Sequence, residues 1–347
     1  MTGISKEAGI QQVFGGGGHV VILGAGASIA STLRNPELNG KRLPSMDNFI
    51  DVVGLHDLVE VLPVGLRASN FETLYTKIHN DNPDSEVLKA IQDKVQIYFG
   101  DMQLPDQPTI YDYLVVSLRG KDLLATFNCD PFLYEAWVRN RKFTTDLPHL
   151  AFLHGNVAIG YSPEDKRCGP AGYFCRPDGG ELRPTKLLYP IEKKNYTDDE
   201  FINGEWERVK YWMGKDGGTK RVTVFGYGAP TSDVEAVSLL NTAWGTPEDR
   251  VMEQFEVIDL VDEDTLKERW SGFIHTDHYD ISDSYFKSSL ASNPRRTSES
   301  YFSHIQALTI EEAFRVNNPV PNDFTSLEQL WDWHRPLIAA EEANQHD

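Results

Sequence analysis

Five short stretches place polar or titratable side chains directly behind apolar runs. In HVVILGAGAS, Gly24, Ala25, Gly26 and Ser28 follow the run at 19–23. Glycines carry no Cβ, so backbone N–H groups there can approach a phosphate, and a following helix N-terminus adds partial positive charge. In DLLATFNCD, Asn128 and Asp130 follow Phe127. An amide there can hold a water or a sugar hydroxyl, and a carboxylate can accept from a carboxamide N–H. In HLAFLHGN, His154 precedes Gly155, which leaves room beside it. An imidazole titrates near neutrality and suits general-base work. FGYGAPTSD repeats the glycine arrangement at Gly226 and Gly228 and then offers Thr231, Ser232 and Asp233, while FEVID ends on Asp259.

Each stretch also has a purely structural reading. The glycines suit a tight strand-to-helix turn, and Asn128 and Asp130 suit an Asx turn. A lone histidine in an apolar setting is commonly a core residue. Ser232 or Asp233 suits a helix cap, and Asp259 a loop. The third glycine of a dinucleotide fingerprint would fall at Ile29, and no second strand ending in an acidic residue follows, so an ordinary dehydrogenase is disfavoured. His275 and His278 in IHTDHYD lack a clear third ligand. Cys129, Cys168 and Cys175 form no CxxC pair, so neither a zinc site nor a disulfide framework is expected. Arg295 and Arg296 in NPRRTSE read as a solvated turn.

The elements that must position these groups are five short apolar runs. They read as strands buried on both faces, hence a parallel sheet whose carboxyl ends carry the ligand-binding chemistry. SNFETLYTKIH sets Phe71, Leu74, Tyr75 and Ile78 on one helical face, with Ser69 or Asn70 as cap. DSEVLKAIQDKVQIYFG does the same through Leu88, Ile91, Val95 and Tyr98, with Gly100 as a stop, and TIYDYLVVSLRG is a third helix. The expected fold is α/β: a Rossmann-like parallel sheet with helices on both faces, plus an inserted helical subdomain at about 46–120. An irregular insertion is expected at about 161–220, where 161–194 reads as a surface excursion and 198–213 as a helix. Past Asp259 the pattern becomes helix and loop, and 301–347 form a C-terminal helical extension ending in a polar, acidic helix.

Of 347 residues, 40% are hydrophobic, enough for a large core. Asp and Glu number 52 against 33 Lys and Arg, a net charge of −19 that repels a phosphate backbone and argues against direct nucleic-acid binding. The start of the sequence has no apolar leader, and no run reaches membrane-spanning length. A cytoplasmic location is the expectation.

Taken in order, GAGAS at 24–28, LPS…F at 43–49, NFETLY at 70–75, TFNCD at 126–130, LHG at 153–155, GYG…D at 226–233 and NPRRTSE at 293–299 make a combination. Over about 15–300 it resembles the sirtuin family, specifically its bacterial sirtuin-like NAD-hydrolase branch associated with anti-phage defence. The resemblance implies an NAD-binding Rossmann-like domain. It implies that Gly24, Ala25, Gly26 and Ser28 hold the diphosphate of NAD+, with Asn128 beside the nicotinamide ribose, Asp130 near the carboxamide and His154 as base. Gly226 and Gly228 would approach the adenosine half, with Asp259 on its ribose. Phe127 stands where deacylating members carry glutamine, and the four-cysteine zinc module that shapes their acyl-lysine groove cannot be built here. The implied activity is hydrolysis of NAD+ to nicotinamide and ADP-ribose. A deacylase or ADP-ribosyltransferase, and a non-catalytic NAD or ADP-ribose sensor, are the alternatives. An unrestrained NADase is toxic to its cell, so a homo-oligomer or a regulatory partner (a sensor or ATPase subunit) is expected to control it.

Overall fold

Each of the five apolar runs forms a strand in the computed structural model. It describes residues 5–13, 17–33, 37–38, 41–173, 180–191, 196–228, 233–250, 254–274, 278–306 and 318–344. The strands are β1 Gly18–Leu23, β2 Leu123–Thr126, β3 His149–Phe152, β4 Thr219–Phe225, β5 Gln254–Ile258 and a sixth, β6 Tyr279–Ser282. They form one sheet in the order β6-β5-β4-β1-β2-β3, with every neighbouring pair parallel. The order reverses between β1 and β4, and in such doubly wound sheets that reversal opens a crevice at the carboxyl ends. The helix-and-loop reading past Asp259 misses β6. Its residues, YDIS, are exposed or half-buried at the sheet edge, so no apolar run marks it.

Two hydrophobic layers sandwich the sheet. Val20, Ile22, Leu123, Ala125, Val222 and Val224 meet helices Glu200–Met213 and Val234–Trp244 through Trp206, Val209, Met213, Ala236, Leu240 and Trp244. On the other face, Val21, Leu23, Leu124 and Phe225 share one continuous core with the helical block between β1 and β2. Within that block, Phe71–Asp81 buries Phe71, Leu74, Tyr75 and Ile78, and the Asn70 side chain, not that of Ser69, caps it by accepting from Thr73 N–H at 3.1 Å. Glu86–Gly100 buries Leu88, Ile91, Val95 and Phe99. Phe99 therefore closes the stripe in place of Tyr98, whose hydroxyl instead donates to the Arg42 carbonyl at 2.8 Å. Burial of each such side chain contributes about 1.5–3 kcal/mol, which outweighs any intrinsic helix preference.

Two further expectations are corrected. The stretch after β3 is no loose excursion: Ile159–Ser162, Arg167–Pro170 and Arg183–Pro184 form a small antiparallel sheet. The chain then returns over the end of β3, where Leu188 N–H donates to the His154 carbonyl at 2.9 Å.

Arg295 and Arg296 do not form a solvated turn. They are 1% and 5% exposed, and Arg295 holds a left-handed φ of 62°. Both bond Glu341 of the terminal helix Leu327–Asn344, which is docked through Leu330, His334, Leu337 and Ile338 and is not merely a polar tail. Among the described residues, no helix is long and apolar enough to cross a membrane.

Candidate active site at the carboxyl ends of the strands

The turn leaving β1 meets the turn leaving β4 backbone to backbone. Gly24 N–H donates to the Phe225 carbonyl at 3.0 Å and Gly26 N–H to the Gly226 carbonyl at 2.9 Å. A Cβ on Gly24 would lie 2.5 Å from the Gly226 oxygen, and one on Gly26 would lie 2.7 Å from Gly226 Cα. Gly226 itself has φ +63°. Contact between the turns is thus sufficient reason for these three glycines, which meets the tight-turn reading in full. Helix Ala25–Thr32 nevertheless begins at Gly24 without a side-chain cap, and exposed Ala25 is its first residue.

One turn into this helix, Ser28 Oγ donates to Asp130 Oδ2 at 2.7 Å and lies 2.7 Å from Tyr111 Oη. With the only serine proton on Asp130, the tyrosine donates to the serine. Asp130 Oδ1 accepts Phe132 N–H at 3.2 Å. Among the described residues no cation stands beside Asp130, and burial pushes its carboxyl up to about 6. Burial, then the charge of Asp130, raises the Tyr111 hydroxyl well above its ordinary value, so it stays a neutral donor.

Asn128 completes this group. Its Nδ2 shares its two hydrogens among three acceptors, the Gly24 carbonyl at 2.8 Å, Ser28 Oγ at 2.9 Å and Tyr111 Oη at 3.1 Å. A backbone carbonyl only accepts, so the amide orientation is fixed chemically. Oδ1 therefore points away from these partners. Among the described residues it has no hydrogen-bond partner, and it is offered as an acceptor at the mouth of the site.

His154 belongs to a second group on the other side of the β2 end. Its Nε2 lies 3.0 Å from Tyr196 Oη and 3.7 Å from Asp233 Oδ2. Asp233 stands at the N-cap position of Val234–Trp244 without a side-chain bond to that helix, so it is not the expected cap. It accepts instead from Tyr196 Oη at 2.6 Å and Tyr227 Oη at 3.3 Å. Phe127 is buried, stacks on Tyr227 at 4.2 Å and sets its ring against His154 at 4.9 Å. Its ring packs against both of these neighbours. Asn156, two residues past His154, ties the end of β3 to the end of β2, since its Nδ2 donates to the carbonyls of Asp130 at 2.6 Å and Asn128 at 3.3 Å.

The space expected beside Gly155 is filled: a Cβ there would lie 2.0 Å from the Lys186 carbonyl oxygen, and φ is +73°. The Gly228 carbonyl accepts from Arg269 Nη1 at 3.2 Å. Asp259 is half-buried at the end of β5, and its Oδ1 accepts Val261 N–H at 3.1 Å, an Asx turn. Thr231, Ser232, His275 and Cys175 lie outside the described residues. Among the described residues, no group of three metal-ligating side chains converges.

Sequence reasoning missed Tyr111, Asn156 and Tyr196. Tyr111 reads as one more apolar position in its helix, and Tyr196 stands in a stretch with no periodicity. Only the fold brings their hydroxyls to the strand ends.

No protein-family model and no curated protein matches this chain. Among solved structures it is similar to a Sir2 homologue in complex with NAD, at 14% identity over 79% of this chain and 86% of that one, with a TM-score of 0.38. A variant Sir2 homologue in complex with ADP-ribose gives 12% identity, 78% and 94% coverage and a TM-score of 0.35. A structure addressing the basis of sirtuin substrate affinity gives 12% identity, 77% and 88% coverage and 0.39.

Proposed function

We propose that the chain is an NAD+ glycohydrolase, cleaving NAD+ with water to nicotinamide and ADP-ribose. The observation that carries this reading is the outward acceptor of Asn128, its amide nitrogen tied to Gly24, Ser28 and Tyr111. A buried carboxylate, Asp130, follows the same strand, and a buried imidazole, His154, follows the neighbouring one. The uncapped helix at Gly24 suits the diphosphate, with the Gly226 and Gly228 turn toward the adenosine half.

In the reaction, the bond between ribose C1′ and the nicotinamide nitrogen breaks, and its electron pair stays on that nitrogen. The sugar passes through an oxocarbenium-like state, and a water oxygen bonds to C1′. The proton released by that water goes to His154. Asn128 Oδ1 accepts from the water or from a ribose hydroxyl, and Asp130 accepts from the nicotinamide carboxamide. Preorganised acceptors facing the positive charge that develops on the sugar lower the barrier without reorganisation at the moment of reaction.

The test is incubation of the purified chain, alone and assembled with whatever co-purifies, with NAD+ while nicotinamide is followed by chromatography. Release that Asn128→Ala and His154→Ala abolish is the expected result. No release in any assembled state overturns the reading, and tight binding with NAD+ recovered intact makes the protein a sensor. Release strictly dependent on an acylated peptide makes it a deacylase.

The proposal extends to role: NAD+ depletion in antiviral defence, restrained by a homo-oligomer or a regulatory partner. Equal activity of a strictly monomeric and an assembled form would count against that control.

A further inference from the structure

We infer that Tyr196 and Asp233 are positioning residues that decide which ring nitrogen of His154 carries the proton. This rests on the reading of His154 as the base. Asp233 receives two tyrosine hydroxyls, from Tyr196 at 2.6 Å and Tyr227 at 3.3 Å, an arrangement that favours its ionised, acceptor-only form. The single proton of Tyr196 therefore lies on the bond to Asp233. The Tyr196 oxygen can then only accept from His154 Nε2, 3.0 Å away. That bond requires hydrogen on Nε2, so in the neutral ring the lone pair sits on Nδ1. Nδ1 is the atom that takes the proton in catalysis.

The same arrangement stabilises the charged product of that transfer. Once Nδ1 is protonated, the imidazolium faces Asp233 Oδ2 at 3.7 Å. Tyr196 remains a neutral phenol throughout, because burial and then the charge of Asp233 raise its hydroxyl far above the ordinary value. Among the described residues, Asp233, Tyr227 and Glu235 act on Tyr196, the last from the first turn of Val234–Trp244. Phe127 meets the imidazole at 75° and Trp206 lies 4.9 Å from the Tyr196 ring, and these apolar contacts fix both ring planes. The logic is that of a base oriented by a hydrogen-bonded carboxylate, with a phenol inserted between them.

The experiment uses the full chain labelled with ¹⁵N-histidine and a long-range proton–nitrogen correlation spectrum, in which the signals lost in His154→Gln identify His154. The wild-type ring is expected to show hydrogen on Nε2, and Tyr196→Phe should lose that preference. Under turnover, Tyr196→Phe should lower kcat by roughly 10-fold or more with KM for NAD+ little changed, as removal of a tautomer-fixing partner does elsewhere. A wild-type His154 with hydrogen on Nδ1 overturns the inference, and so does a tautomer unchanged in a folded Tyr196→Phe. The wild-type spectrum decides even if the variant fails to fold. It also needs no turnover, so an inactive protein with hydrogen on Nε2 sinks the hydrolase reading alone.

Discussion

The two ends of the sheet each bury a carboxylate, and they treat it in opposite ways. At the amino ends of the strands, Glu341 meets Arg295 Nε at 2.9 Å and also bonds Arg296, while Arg295 further donates to Leu118 O at 3.1 Å and Asp146 Oδ2 at 3.0 Å. Burial alone would raise the Glu341 carboxyl, but the two guanidinium groups overcome it and hold the group below its usual range. At the carboxyl ends, Asp130 has hydroxyl and amide donors but, among the described residues, no cation, and burial leaves it at about 6. One end uses charge to fasten a terminal helix; the other keeps a carboxylate uncompensated beside an acceptor facing outward. Burial of polar groups does not identify a functional site by itself. Incomplete compensation is the better guide.

The contrast breaks most sharply on two substitutions. His154→Ala should lower NAD+ turnover by about 10²–10⁴, the usual contribution of a general base. Its stability cost should be smaller, about 1–3 kcal/mol, because Tyr196 loses a buried partner. Glu341→Ala should do the reverse. Two buried guanidinium groups lose their shared acceptor, so a urea titration should show a loss of about 3–5 kcal/mol. Nicotinamide release per folded molecule should stay unchanged. Equal damage to turnover and stability from both variants would erase the distinction between the ends.

The same contrast explains what the sequence makes legible. The strands β1, β2, β4 and β5 announce themselves because burial on both faces forces apolar runs, β3 shows one although its first residue is exposed, and the polar residues behind all five fall at the carboxyl ends by topology alone. The arginines of NPRRTSE mislead, because their acceptor Glu341 lies 45 residues or more away and reads as part of a polar tail. Charge pairing across such a separation leaves no local pattern. Tyr196 and Tyr111 fail for a related reason: a tyrosine has an apolar body and one hydroxyl, and only the folded chain shows where that hydroxyl goes. Gly155 is legible as a special residue but not in its use, since the carbonyl that fills its space comes from Lys186.

A smaller effect sharpens the comparison through pH. The Asp130 carboxyl is raised from 3.8 to about 6 in the folded chain, so the folded state holds a proton where the unfolded chain has already lost it. This contribution favours folding fully below about pH 4 and is lost as pH rises through about 6. Asp130→Asn should therefore be more stable relative to wild type at pH 8 than at pH 4, by about 3 kcal/mol. Glu341 has the opposite sign: its lowered carboxyl stabilises above the ordinary carboxylate range, and that stability is lost as pH falls. Paired urea titrations of Asp130→Asn and Glu341→Gln at both pH values would show the two trends crossing. Parallel trends would mean that Asp130 is compensated after all.

The least costly change probes how firmly Asn128 is aimed. Tyr111→Phe removes the hydroxyl that donates to Ser28 and accepts from Asn128 Nδ2 at 3.1 Å. The amide keeps the Gly24 carbonyl at 2.8 Å and Ser28 Oγ at 2.9 Å, and the carbonyl alone dictates which way the amide faces. Stability should fall by only about 1 kcal/mol, the net worth of an ordinary buried hydrogen bond. Turnover should fall by less than about tenfold, because Oδ1 still faces outward. A loss as large as that of His154→Ala, in a protein that melts normally, would instead make Tyr111 a participant in the chemistry. The carboxyl-end network would then extend one residue deeper than its orienting bonds require.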